Sequence, residues 1–141
     1  MKKKEKKIIP VIVAVIRKNQ RYLLTKRRHN DGRFNNKWQF PGGELEYGEK
    51  IYTCLKREVK EELNLDIKKA KLIPIIYEAK RYDWHGLLFP YLCQLNKGEQ
   101  NIKLDDEASD YRWFLASEIK KLKQYLPGLK EILKEVDKVN F

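Results

Sequence analysis

Gly43–Leu65 reads GELEYGEKIYTCLKREVKEELNL, and the fold is decided from this stretch. Between Lys50 and Leu63 no Gly or Pro interrupts the run, so it reads as a helix with about 3.6 residues per turn. Ile51, Leu55, Glu58 and Glu62 then share one face, with Cys54 and Glu61 beside it. Thr53, Lys56, Arg57 and Lys60 point roughly the other way. An apolar stripe begins the helix and carboxylates continue it. Asn64 stands where a left-handed residue can stop the helix.

Carboxylates three and four residues apart repel one another, and the cost rises if they are partly buried. A divalent cation removes that cost, and hard oxygen ligands suit magnesium or manganese, which also bridge protein carboxylates to phosphates. The alternative is a solvated acidic face. Six of the chain's 20 acids fall within residues 44–62, a concentration that needs a reason in a chain of net charge +11. Pro41-Gly42-Gly43, just before the acids, supplies a turn whose backbone can approach a ligand closely, or an ordinary strand-to-loop turn.

On the N-terminal side, Ile8–Ile16 reads as a buried strand and Lys18-Asn19-Gln20 as a polar turn. Tyr22–Arg27 reads as the hairpin partner. Arg28–Lys37 is a polar loop containing Asn30-Asp31-Gly32, and Trp38–Phe40 is a short strand. On the C-terminal side, strands are expected at Leu72–Ala79 and Leu87–Leu95, separated by a turn at Trp84-His85-Gly86. Asn96-Lys97-Gly98 makes another turn, and Tyr111–Leu115 a further strand. Ser117 is expected to cap a short helix and Pro127 to open a final one. Strands with one central helix and terminal helices imply an α/β sandwich with a mixed sheet.

The quoted stretch resembles the Nudix box: Gly, five residues, Glu, seven residues, then Arg-Glu-aliphatic-x-Glu-Glu-x-Gly-aliphatic. Gly43, Glu49, Arg57, Glu58, Val59, Glu61, Glu62 and Leu65 match, and Asn64 replaces the Gly. Trp38–Gly43 resembles the strand that enters the box in MutT-type members, and Glu107, Asp110, Tyr111 and Trp113 resemble a downstream acidic loop and strand. The resemblance spans roughly residues 8–123. It implies an α/β/α sandwich in which the box forms a loop-helix-loop catalytic motif.

Carried over position by position, the resemblance makes Glu58, Glu61 and Glu62 metal ligands, joined by the Gly43 carbonyl. Arg57 would orient a ligand by pairing with an acid, Glu49 first, and Gly42 and Gly43 would shape the loop. Glu58 or a later acid, Glu107 ahead of Asp110, would activate water. The reaction implied is magnesium-dependent hydrolysis of a diphosphate linkage, with a (deoxy)nucleoside triphosphate as first substrate class. A dinucleoside polyphosphate is the alternative, and Tyr82 matches a tyrosine linked to it. A non-catalytic nucleotide binder is the third reading, and the intact glutamates argue against it.

Phe34, Trp38 and Tyr82 are candidates to stack a base, although each residue type also serves as core packing. Near Leu126-Pro127-Gly128-Leu129 there is no amide or acid of the kind that MutT-type members use to read a base. Pro74 comes too early to match the proline of ADP-ribose hydrolases, and His29 and His85 read as polar loop residues.

Length and charge set the outer limits. A chain of 141 residues suits one domain, expected over residues 8–141 behind a basic flexible tail at 1–7. No apolar run approaches the roughly 20 residues that span a bilayer, and no secretory leader is read, so a cytoplasmic location is expected. Lysines are scattered outside the opening run and no nucleic-acid motif accompanies them, so they are assigned to solubility and anion capture. Cys54 and Cys93 form no disulfide framework or metal-site pattern and read as buried thiols. A homodimer is compatible with the sequence but not read from it.

Overall fold

Strand β1 (Ile8–Lys18) sits at the centre, and its alternation explains the layers. Ile12, Ala14 and Ile16 point to one face and Val13 and Val15 to the other, and all five are buried. A strand buried on both faces needs a near-continuous apolar run, which Ile8–Ile16 supplies. In this computed structural model, which describes residues 5–29, 32–98 and 100–141, β1 runs parallel to β7 (Trp84–Leu95), Ile8 opposite His85 through Ile16 opposite Cys93. The Lys2–Lys4 part of the expected tail and Asn30-Asp31 of the expected loop lie outside the described residues.

At its end β1 hands over to β2 (Arg21–Arg27) through a two-residue turn, with Asn19 at φ 51° and Gln20 at φ 65°. Two successive positive φ values are the hairpin turn that matches strand twist. The two strands pair only at Arg17–Tyr22 and Lys18–Arg21 before β2 departs. It continues between β3 (Trp38–Gln39) and β8 (Ala108–Leu115). The opening between the two halves of the sheet holds β4 (Gly42–Glu44), which pairs antiparallel with β1. β5 (Ile67–Leu72) and β6 (Tyr77–Arg81) share the other edge of β7.

Helix α1 (Ile51–Leu63) packs Cys54, Leu55, Val59 and Leu63 onto Ile12, Ala14 and Ile16. Burying Leu55, Val59 and Leu63 stabilises this layer by about 1.5–3 kcal/mol each. The opposite face is covered by α2 (Ala116–Lys120) and α3 (Leu129–Glu135), through Ile119, Leu129, Ile132 and Leu133. The result is the expected α/β/α sandwich with a mixed sheet.

Several local expectations are corrected. Leu72–Ala79 is not one strand: Pro74 has no N–H to donate, and the ladder breaks between Leu72 and Tyr77. The expected turn at Trp84-His85-Gly86 lies two residues earlier, at Tyr82-Asp83, and Gly86 is inside β7. Gly86 is there because a Cβ would fall onto the Trp84 ring, which lies across it. Ser117 is inside α2, whose first turn is closed by Glu118 accepting the Leu115 N–H at 2.8 Å. α3 starts after Gly128, whose N–H is accepted by Glu131 at 3.0 Å, and not at Pro127. The buried stripe of α1 runs through Val59, which the face count missed, while Ile51 is exposed.

Candidate active site

The site begins with two glycines laid flush on β1. A Cβ on Gly42 would strike the Ile12 carbonyl, so only glycine lets β4 pair at that distance. The Pro41 carbonyl accepts the Ala14 N–H at 2.8 Å and fixes the approach. On Gly43 a Cβ would coincide with the carboxyl group of Glu58. The two glycines thus lie in strand β4 and not in the expected turn, and their bare backbone is in direct apposition with the acid face of α1.

Glu62 lies deepest. The Gly42 N–H donates to its Oε2 at 3.0 Å. Burial, followed by the charge of Glu58, raises its pKa well above the ordinary carboxylate range, and Glu107 and Asp105 add to the effect. Glu58 is half-buried, and desolvation raises its pKa while Arg57 acts in the opposite direction. Glu61 is exposed and lies outside the residues that wall the cleft.

Arg57 does not point away from this face, as the helical count placed it. Its flexible stem folds back, and the guanidinium becomes the hub of the acids. Nε donates to Glu49 Oε2 at 2.7 Å and Nη2 to Glu49 Oε1 at 3.0 Å, a two-bond fork. Nη1 reaches Glu58 Oε1 at 2.8 Å and Glu61 Oε2 at 3.3 Å. The Arg57 guanidinium holds the Glu49 carboxyl down to about 2. Beneath the fork, burial and then Glu49 push the Cys54 thiol up to about 12, so it is an inert structural thiol.

Among the described residues, no three acid, His or Cys side chains converge on a single point, because Arg57 draws Glu58 and Glu61 to its own Nη1. The donor chemistry nevertheless fits a hard divalent cation. Every candidate ligand is an oxygen, Glu58 faces bare backbone at Gly43, and the charge accumulated around Glu62 is offset by one N–H.

These groups form one end of a cleft of about 960 Å³ that also includes Glu107. Glu107 follows Asp105, whose Oδ1 accepts the Glu107 N–H at 3.0 Å, and its carbonyl accepts the Arg28 N–H at 2.8 Å. Asp110 is elsewhere: it stands opposite Lys26 on β8, accepts its neighbour's N–H, and does not line the cleft. Phe34 and Tyr82 do line it, with ring centroids 6.4 Å apart. Trp38 does not. It is 7% exposed and packs edge-on against Phe114 at 5.1 Å, so it is core and not a stacking platform. The sequence reading missed Arg81, which lines the cleft beside Tyr82, because one arginine among the chain's 31 basic residues carries no distinguishing signal.

The NUDIX domain family model matches residues 6–136 of this chain. The nucleoside triphosphatase NudI of Salmonella agona is 26% identical over 119 residues, covering 77% of this chain and 83% of that protein. The MutT protein from Methanosarcina mazei Go1 superposes with a TM-score of 0.81 at 20% identity, covering 96% of this chain and 97% of that one. A bifunctional NMN adenylyltransferase/ADP ribose pyrophosphatase from Francisella tularensis, complexed with AMP and a manganese ion, superposes with a TM-score of 0.77 at 22% identity. That match covers 95% of this chain and 42% of the larger protein. Among the described residues no helix is long and apolar enough to cross a membrane.

Proposed function

The chain belongs to the NUDIX domain family and is a Nudix hydrolase, and from that premise we propose that it cuts a (deoxy)nucleoside triphosphate to the monophosphate and pyrophosphate, with magnesium as cofactor and manganese able to replace it. One observation carries this reading. Glu58 and Glu62 are pressed against the side-chain-free Gly42–Gly43 backbone of β4 on the wall of a cleft with room for a nucleotide. The naming of NudI as a nucleoside triphosphatase and the manganese ion in the Francisella complex support substrate class and cofactor.

Glu58, Glu61, Glu62 and the Gly43 carbonyl would hold the cation, which when bound offsets phosphate charge and acidifies water. The chain's own groups do the rest. The side-chain-free Gly42–Gly43 backbone lets β4 lie on β1 and brings the Glu58 carboxyl against Gly43. Arg57, locked by Glu49, fixes the angle of the Glu58 carboxylate. Glu58, whose proton affinity burial has raised, takes the proton of a water aligned for in-line attack on phosphorus. Glu107, on the same cleft wall, is the second carboxylate able to accept it. Phe34 and Tyr82, each with an arginine over one ring face, line the part of the cleft open to the nucleoside.

A dinucleoside polyphosphate is the second reading, favoured by Tyr82 on the cleft wall and by a volume that exceeds what one nucleotide needs. The test is magnesium-dependent product formation, pyrophosphate from nucleoside triphosphates and nucleotides from dinucleoside polyphosphates, ADP-ribose and nucleotide sugars, beside a Glu61→Gln control. Pyrophosphate from a triphosphate, abolished in the control, is the expected result. Release that persists unchanged in the control would overturn the assigned site.

A further inference from the structure

Along β1, Gly43 stands opposite Ile12 whereas His85 stands opposite Ile8, so Arg81, opposite Trp84, lies several residues along the cleft from the glycines. β6 ends at Arg81, and Tyr82, at φ 51°, turns the chain into β7. Arg33 and Phe34, which precede β3 in the other half of the sheet, meet this turn. Arg33 pairs with Asp83 at 3.6 Å and lies 4.3 Å from the Tyr82 ring. The Arg81 guanidinium is flanked by two rings, 5.2 Å from Phe34 and 5.0 Å from Trp84.

Arg81 is a half-buried cation without a counter-charge. Its Nε is inaccessible to water and has no acceptor. Among the described residues no carboxylate pairs with it or with Arg27, whose own Nε is given to the Arg33 carbonyl at 3.2 Å. Burial, followed by repulsion from Arg27, lowers its pKa. Arg27 and Arg81 line the same cleft, and a half-buried cation with a second cation on the same wall and no counter-charge is costly to maintain. A neutral acceptor on the cleft side of the Arg81 guanidinium would leave the two arginines repelling each other. A phosphate group would bond that side and also offset the charge of both, because its oxygens match the edge of a guanidinium.

We infer that Arg81 and Arg27 form a second anion subsite, and that the substrate carries a phosphate group remote from the linkage that is cut. The position of that linkage rests on the hydrolase reading, whereas the subsite rests on the arginines alone. The substrate class is then a nucleotide phosphorylated on the far side of its nucleoside, with the rings of Phe34 and Trp84 holding the Arg81 fork in place.

The subsite is tested first by titrating metal-free protein with inorganic phosphate, since without a cation the glutamate end repels anions. Wild type is expected to bind, Glu62→Gln to bind at least as well, and Arg81→Gln to lose tenfold or more. Arg27→Gln is the parallel variant should the turn at Tyr82 not tolerate the first change. Phosphate affinity that stays within twofold of wild type in both arginine variants would overturn the subsite, as would no binding by wild type. With magnesium, kcat/KM for a 3′-phosphorylated nucleoside triphosphate should exceed that for its unphosphorylated partner at least tenfold, and the preference should vanish in Arg81→Gln. Equal handling by wild type would overturn the remote-phosphate assignment. Arginine-dependent phosphate binding with no turnover of any nucleotide would instead sink the proposed reaction and leave the subsite standing.

Discussion

The backbone N–H of Gly42 points at Oε2 of Glu62 across 3.0 Å, and this one dipole faces a carboxylate surrounded by Glu58, Glu107 and Asp105. The arrangement is destabilising unless a cation is present. Glu62→Gln should therefore raise the melting temperature of metal-free protein by a few degrees while lowering turnover by roughly 100-fold or more. Glu61→Gln should lower turnover with no change in melting, because Glu61 is exposed. Calorimetry with chelator beside a turnover assay checks both. A Glu62→Gln protein that melts lower than wild type in chelator would contradict the buried-charge account.

The same groups predict the pH dependence of stability. Glu49 has its pKa depressed from 4.5 to about 2, so its contribution is present above 4.5 and is lost as pH falls toward 2. Glu58 and Glu62 are raised, so their contribution is present below 4.5 and is lost as pH rises through their folded values. Metal-free protein should be most stable in mildly acidic solution, and divalent cation should abolish the decline at higher pH. Melts across pH in chelator decide this, with Glu62→Gln flattening the upper limb and Glu49→Gln the lower. Metal-free stability that keeps climbing through neutral pH would refute the prediction.

Gly43→Ala should be nearly silent for folding and severe for chemistry. The added methyl falls on the Glu58 carboxyl, the end of a side chain that can swing aside, and not on backbone. Turnover should fall by roughly 100-fold with melting shifted little. A crystal structure of the variant should show Glu58 in another rotamer, and full activity would mean that its observed position is irrelevant to the reaction.

Arg57 and Glu49 should behave as a unit. Arg57→Lys keeps the charge but loses the two-bond fork, so turnover is expected to fall about tenfold to 100-fold. Glu49→Gln should cost a similar amount, and the double variant little more than either. Additive losses in a double-mutant cycle would show that the two residues act separately.

Asn64→Gly should retain activity and change stability by no more than about 1 kcal/mol. Glycine relieves the left-handed backbone at φ 60°, but the Asn64 Nδ2 bond to the Asn101 carbonyl at 3.1 Å is lost. Inactivation of this variant would mean that the helix stop positions the glutamates more tightly than its geometry indicates.

The helix and its stop were legible in the sequence because each depends on short-range rules, an uninterrupted run and a left-handed residue, whereas the glycine pair read as a turn and lies in β4, because its pairing with β1 is a long-range contact. Arg57 was placed on the wrong side because a helical wheel fixes Cβ and not the end of a long flexible stem. Gly86 read as a turn because the ring that occupies its missing Cβ comes from Trp84 lying back over the strand, a packing fact invisible to composition. Trp38 read as a stacking candidate because nothing local distinguishes a ring that faces a cleft from one that meets Phe114 in the core. Arg81 gains its meaning from Phe34, which arrives from a loop nearly fifty residues away.

That last pairing has a consequence for how such a protein can change. The carboxylates and the glycine pair lie on one continuous segment, residues 42–62, anchored to the central strand. The opposite wall comes from two separate excursions, the 28–37 loop and the Tyr82-Asp83 turn, tied together at the surface by Arg33 and Asp83. Lengthening or shortening either excursion alters what the wall recognises without disturbing a ladder hydrogen bond beneath the glutamates. On the proposed reading, reactivity and selectivity are encoded largely in different stretches of chain, and a designer could exchange the Tyr82-Asp83 turn while leaving residues 42–62 untouched, whereas the first excursion is tied to Glu107 through the Arg28 N–H.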